Sequence, residues 1–242
     1  MQNGIHRSPV LLASALTRLC AQSGNIATAP EIARFALGLK PALRFMVGVD
    51  SVESFSEAVE AAGAFSSTRM LETSSRGGSW SDISGATAST LRADIAAIYI
   101  AHDANLAAEL ALADVTDASV AGEVFGYPNC CVAAVAELQS AGARWPEALV
   151  RRSGSPEQWD AAANRAVADW GAISPVGELF PCGLGCKHAV RIGREGVAAL
   201  SELGLSRLAD AIRHQAARPW QITADGRAVP SVGEQGFALP WK

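Results

Sequence analysis

Four of the five cysteines of this 242-residue chain fall in two short turns, GYPNCCV from Gly126 to Val132 and FPCGLGCKH from Phe180 to His188. Pro and Gly shape each turn, and an apolar stretch of helical period follows it: VAAVAEL after the first, AVRIGREGVAALSEL after the second. The pattern places Cys130 and Cys131 in the first turn of one helix and Cys186 at the start of another, with Cys182 in the loop before it. A helix start offers unpaired N–H groups and the positive end of a dipole, and both favour thiolate over thiol. Thiolate is the form that binds metal or attacks an electrophile, so chemistry is expected at these two turns.

Cys182 and Cys186 can converge across their loop, whereas Cys130 and Cys131 project about 100° apart on a helix and need not serve one ion. Two ligand sets stay open: three cysteines around a cluster with the fourth free, and four equal ligands. The leading cofactor is an iron-sulfur cluster or a mononuclear iron. Zinc is the alternative, weakened because the spacings are CC and CxxxC and not the CxxC pairs of zinc ribbons. A third reading makes Cys130 and Cys131 a redox pair closing a strained, easily reduced vicinal disulfide. The plain reading is four buried small hydrophobes. The radical motif CxxxCxxC is absent because position 189 is alanine, and Cys20 has no motif around it.

Lys187, His188, Arg191 and Arg194 follow Cys186 directly, and arginines there suit a carboxylate or phosphate gripped by paired hydrogen bonds. Tyr127 could donate to a cluster sulfur or a substrate. The candidate substrate-binding set is therefore Tyr127, His188, Arg191 and Arg194. Each has a blander alternative: Tyr127 packing on the core, His188 exposed, and the arginines paired with Glu195 or Glu202 on a solvated face. Trp145, Trp159, Trp170 and Trp220 are expected to pack between helices.

Charge narrows the partners. Twenty basic against 24 acidic side chains give a net charge of -4, so a surface that neutralises phosphates along a nucleic acid is not expected. The second half of the chain is the more basic and the better place for a small anion. Five cysteines are too few for a disulfide scaffold and their odd number leaves one over, which points to a reducing cytoplasm. At the start, Pro9 and Arg18 interrupt the apolar run and Leu19 stands where a lipoprotein signal needs a small residue, so that segment is expected to be an amphipathic helix. No apolar run approaches the roughly 20 residues of a membrane-spanning helix.

Along the chain, helices are expected over Pro9 to Cys20 and over Ala29 to Leu37, with Thr28 as N-cap and Pro30 at N1. Ala42 to Val49 reads as a strand, Ser51 as the cap of a helix over SVESFSEAVEAAGAF, and Thr68 to Glu72 as another strand. Ser74 to Thr90 is a Gly/Ser/Thr-rich surface loop lacking the spacing of a phosphate-cradling motif. Ala93 to Ala101 is the clearest strand. His102 and Asp103 follow it, a functional position in open parallel sheets, although Asp103 as a helix cap and His102 as an exposed turn residue is the stronger reading. Further helices are expected near Ser119 to Phe125, Pro128 to Ala141, Pro156 to Trp170, Cys186 to Leu203 and Ser206 to Ala217, and Asp225-Gly226 marks a hairpin over Trp220 to Val229. The fold class is α/β or α+β: an αβ part with a small sheet over 1–118, then a helical, cysteine-bearing part with a C-terminal β-hairpin over 119–242, or one continuous domain.

GYPNCCV followed by PCGLGCKHAVRIGR resembles an uncharacterised prokaryotic family of domains of unknown function marked by GYPxCC and a downstream PCxxxC before a helix. The resemblance runs from near Ile95 through Gly122 to Phe125 and on to Leu203. It implies Cys130, Cys131, Cys182 and Cys186 as site positions and brings no established reaction with it. The function expected from the sequence is a cytoplasmic metalloenzyme whose cysteine-held iron activates a small substrate in sulfur or redox metabolism. A zinc-stabilised, non-catalytic binding module and a thiol-disulfide protein are the alternatives.

Overall fold

The helical period at the start of the chain is realised as α1 (Pro9–Gln22) and α2 (Ala29–Ala36) in the computed structural model, which describes residues 8–22, 28–72, 87–88, 95–116, 118–141, 145–231, 236 and 239–242. The chain divides into two compact units, one of residues up to Ile26 with Phe35–Gly126, the other of Ala27–Arg34 with Tyr127–Lys242. It is a mixed helix and strand protein. Among the described residues no helix is long and apolar enough to cross a membrane.

The first unit holds β1 (Ala42–Gly48), α3 (Val52–Ala61), β2 (Phe65–Glu72), β3 (Thr87–Ala88), β4 (Ile95–Ala101), α4 (Ala104–Thr116) and α5 (Ala118–Val124). Its sheet is antiparallel in the order β1-β4-β2-β3, with Ile98 of β4 opposite Phe45 on one side and Thr68 on the other. From Ala96 to Ala101 every residue of β4 is buried, which explains its nearly unbroken apolar run. Helix α4 packs on the sheet through its small residues, and Arg69 Nε donates to the Ala111 carbonyl at 3.0 Å. Buried in this unit, Asp114 accepts from Arg44 Nη1 at 2.9 and 3.0 Å and from the Tyr99 hydroxyl at 2.8 Å. Burial first and the Asp114 carboxylate second push the Tyr99 phenol up, so it stays a hydrogen-bond donor.

Several local expectations change here. Ser51 stands at the N-cap of α3 without a side-chain cap bond, and that helix stops at Ala61 because the chain must turn at Ala62 and Gly63 to enter β2 at Phe65. The position of His102 and Asp103 has no strand-end significance, since that argument applies to parallel sheets and this one is antiparallel. Asp103 Oδ1 accepts from the amides of Asn105 and Leu106 and caps α4. The exposed His102 ring stacks on Phe35 with centroids 4.1 Å apart and its Nε2 donates to the Phe35 carbonyl at 3.0 Å. Of the loop expected over Ser74 to Thr90, only Thr87 and Ala88 are among the described residues, and they pair with Glu72 and Leu71 as β3.

The second unit contains α6 (Asn129–Ser140), α7 (Trp145–Arg152), α8 (Lys187–Glu202), α9 (Ser206–Ala216) and the antiparallel pair β5 (Trp220–Ile222) and β6 (Ala228–Pro230). The hairpin closes with the Thr223 amide donating to the Arg227 carbonyl, so its loop has three residues with Gly226 at the left-handed end. The helix expected over Pro156 to Trp170 is not formed. Three short 3-10 turns, Pro156–Gln158, Ala161–Ala163 and Ala166–Trp170, take its place. Two amides here bond to distant residues, Asp160 to Leu184 and Ala161 to Pro240, and Asp160 Oδ1 caps the nearby Ala162 amide. Helix α8 runs directly over this segment, and a Cβ on Gly193 would lie 1.9 Å from the Ala162 carbonyl oxygen. Trp159 and Trp220 are buried in the core with Leu149 and Leu184, and Trp145 packs against them.

Candidate metal centre

Helix α5 ends at Val124, and in the turn after it Gly126 has a φ of +75°, which favours glycine, while its amide donates to the Glu123 carbonyl. After it, the Pro128 carbonyl receives the amides of Cys131 and Val132 and starts α6, so Cys130 and Cys131 occupy the first turn as the sequence predicts. The second motif is pinned from outside. The Leu184 amide donates to Ser153 Oγ at 2.7 Å, the Leu184 carbonyl receives Asp160, and the Cys186 amide closes a turn on the Gly183 carbonyl. A Cβ on Gly185 would come within 2.8 Å of the Gln158 carbonyl oxygen, so the loop can pass there only as glycine. Cys186 is then the N-cap residue of α8.

These two constructions bring the sulfurs of Cys130, Cys131, Cys182 and Cys186 within 4.8 Å of one another, a group that could hold a metal ion. Cys130 to Cys131 is 3.9 Å, Cys130 to Cys186 is 3.8 Å and Cys131 to Cys186 is 3.8 Å. All four are free thiols, so the adjacent pair is not joined. Metal-sulfur bonds of about 2.3 Å at tetrahedral angles separate ligand sulfurs by about 3.8 Å, so Cys130, Cys131 and Cys186 are spaced like one face of a tetrahedral site, with Cys182 within 4.8 Å of them.

Burial grades the four. Cys131 is buried among Ala163, Val176, Leu179, Ala189 and Ile192, Cys182 and Cys186 pack against that cluster while half-buried, and Cys130 is exposed. Their electrostatics are those of one thiolate held by its neighbours. The Cys186 sulfur receives Cys131 and, beyond it, the Ala189 amide and the other two thiols, which lowers its pKa to about 4 against the opposing effect of burial. Cys131 is pushed up because it donates to Cys186 and is buried. Burial and then the contact with Cys186 push Cys182 up to about 12. A divalent ion would supply the positive charge that lets the remaining thiols ionise.

The four side chains expected at a substrate are placed differently from one another. The Tyr127 ring packs against the apolar cluster and its hydroxyl donates to Glu31 Oε1 at 3.2 Å. His188 is exposed on the first turn of α8. Arg191 is exposed and pairs with Glu195 at 2.6 Å, and Arg194 pairs with the buried Asp160 carboxylate at 2.6 Å and also donates to the Lys242 carbonyl. Glu31, Ser153 and Asp160 support this region and carry no signal in the sequence. Each is a polar residue far along the chain from the cysteines, and only the folded path gives it its partner.

No family model, no curated protein and no solved structure matches this chain.

Proposed function

We propose that this protein binds one thiophilic metal ion, zinc or iron, through Cys130, Cys131, Cys182 and Cys186. The observation that carries the reading is the spacing of 3.8 to 3.9 Å among the sulfurs of Cys130, Cys131 and Cys186, the edge of a single-ion tetrahedron, with the Cys182 sulfur within 4.8 Å of them. An iron-sulfur cluster with four cysteines puts its thiolates on different irons and spreads them around the body of the cluster, so the tight grouping favours the single ion. The ion would tie the first turn of α6 to the N-cap of α8, two helix starts that are remote in sequence. The resemblance to the GYPxCC family names the same four cysteines and is part of this proposal.

A second reading, favoured by the exposure of Cys130, is that the centre also reacts. It is the metalloenzyme reading, in which an iron or iron-sulfur centre in a reducing cytoplasm acts on a small, anionic substrate. His188 and Arg191, both exposed on α8, are then the side chains to meet that substrate.

Anaerobic purification followed by metal and acid-labile sulfide analysis tests the proposal. One zinc or one iron per chain without labile sulfide is expected. Several irons with matching sulfide would overturn the single-ion reading and leave the cluster reading standing.

A further inference from the structure

The four sulfurs do not offer an incoming molecule equal access. Cys131 is 1% exposed, and Cys182 and Cys186 lean on the apolar cluster, whereas Cys130 faces solvent. Among the described residues the contacts of the Cys130 sulfur are with other thiols.

We propose that Cys130 is the reactive ligand of the centre, a metal-held thiolate that accepts an alkyl group from a small carbon electrophile while the other three sulfurs keep the ion. The inference rests on the single-ion reading above. Four thiolates carry more negative charge than a divalent ion neutralises, so sulfurs bound to such an ion remain nucleophilic. In the step, the Cys130 lone pair forms a sulfur-carbon bond as the bond between that carbon and its leaving group breaks. The leaving group departs as an anion with the bonding pair. No proton moves and nothing is oxidised or reduced. The product is a neutral thioether at position 130, so the chain acts once per molecule, as an acceptor or a sensor of alkylating compounds.

The test uses the metal-loaded full chain, with its metal content measured first, and iodoacetamide as the probe. Adducts are mapped by peptide mass spectrometry as they appear. The expected result is a first adduct at Cys130, formed at least about tenfold faster than at any other cysteine, with the ion retained. Cys130→Ser should lose the fast phase. A bound ion with the first adduct at Cys131, Cys182 or Cys186, with all four reacting at one rate, or with the ion leaving before Cys130 reacts, overturns this inference alone. Failure of the metal-supplemented chain to retain an ion overturns the single-ion reading and this inference with it. Mapping on the unaltered protein decides the matter even where the serine variant does not fold.

Discussion

In the first unit the central strand β4 is bonded along both edges to β1 and β2, and a helix follows each of the strands β1 and β4. In the second, the path from Pro156 to Cys186 runs through short, locally bonded turns, tied to distant residues by single bonds such as those of the Asp160 and Ala161 amides to Leu184 and Pro240. The first unit thus draws its order from repeating ladders, and the second from individual contacts around two cysteine turns. A ladder survives the loss of one member, whereas a set of single contacts depends on whatever anchors its ends. In the second unit a metal ion would be that anchor.

Removing the ion is the largest way to test this contrast. At free metal about a thousandfold above Kd, binding contributes about 4 kcal/mol, and a chelator should withdraw it from the second unit only. Hydrogen exchange should then rise across residues 156–186 and stay unchanged in β1 and β4. Cys131→Ala, Cys182→Ala and Cys186→Ala should each reproduce the loss in metal content, while Cys20→Ala leaves it intact. Acid should act in the same direction. Cys131 and Cys182 are both raised, so each must lose a proton when the ion binds, and log affinity should fall by at least about two per pH unit between pH 8 and 6. Below about pH 4 Cys186 is protonated as well and the slope should steepen. A pH-independent affinity measured by competition with a chromophoric chelator would contradict the thiol assignment.

The converse experiment breaks the first unit and spares the second. Asp114→Ala leaves the part-buried Arg44 guanidinium and the buried Tyr99 hydroxyl without their carboxylate, a loss of about 2–4 kcal/mol in denaturant unfolding, with metal content unchanged. Gly193→Ala should cost at least about 1–3 kcal/mol and disturb the second unit, because its methyl group would overlap the Ala162 carbonyl oxygen and α8 would have to move. An alanine variant with unaltered stability would mean that α8 and the 3-10 turns are less closely packed than described. The smallest effect belongs to Arg191→Gln: its partner Glu195 lies one turn along an exposed face, so stability should change by less than about 0.5 kcal/mol. If substrate affinity falls with that substitution once a substrate is known, Arg191 belongs to the site.

Read by itself, the sequence determined the elements whose causes are local. The apolar run of β4, the periodic face of α8 with Ala189, Ile192, Gly193, Gly196, Val197 and Leu200 inward, and the Asp225-Gly226 hairpin each follow from a few neighbouring residues. So does the placement of three cysteines at two helix starts. The segment Pro156 to Trp170 went the other way: its alanines and spacing suit a helix, but its amides find better partners in Leu184 and Pro240, and a passing helix leaves no room for one. The antiparallel order of the sheet was equally out of reach of local pattern, whereas the capping of α4 by Asp103 is local and was expected. Only the tertiary structure decided that the sulfurs of Cys130, Cys131, Cys182 and Cys186 meet within 4.8 Å of one another. Spacing along a chain sets which residues can lie on one turn, whereas the distance between two turns is set by everything packed between them.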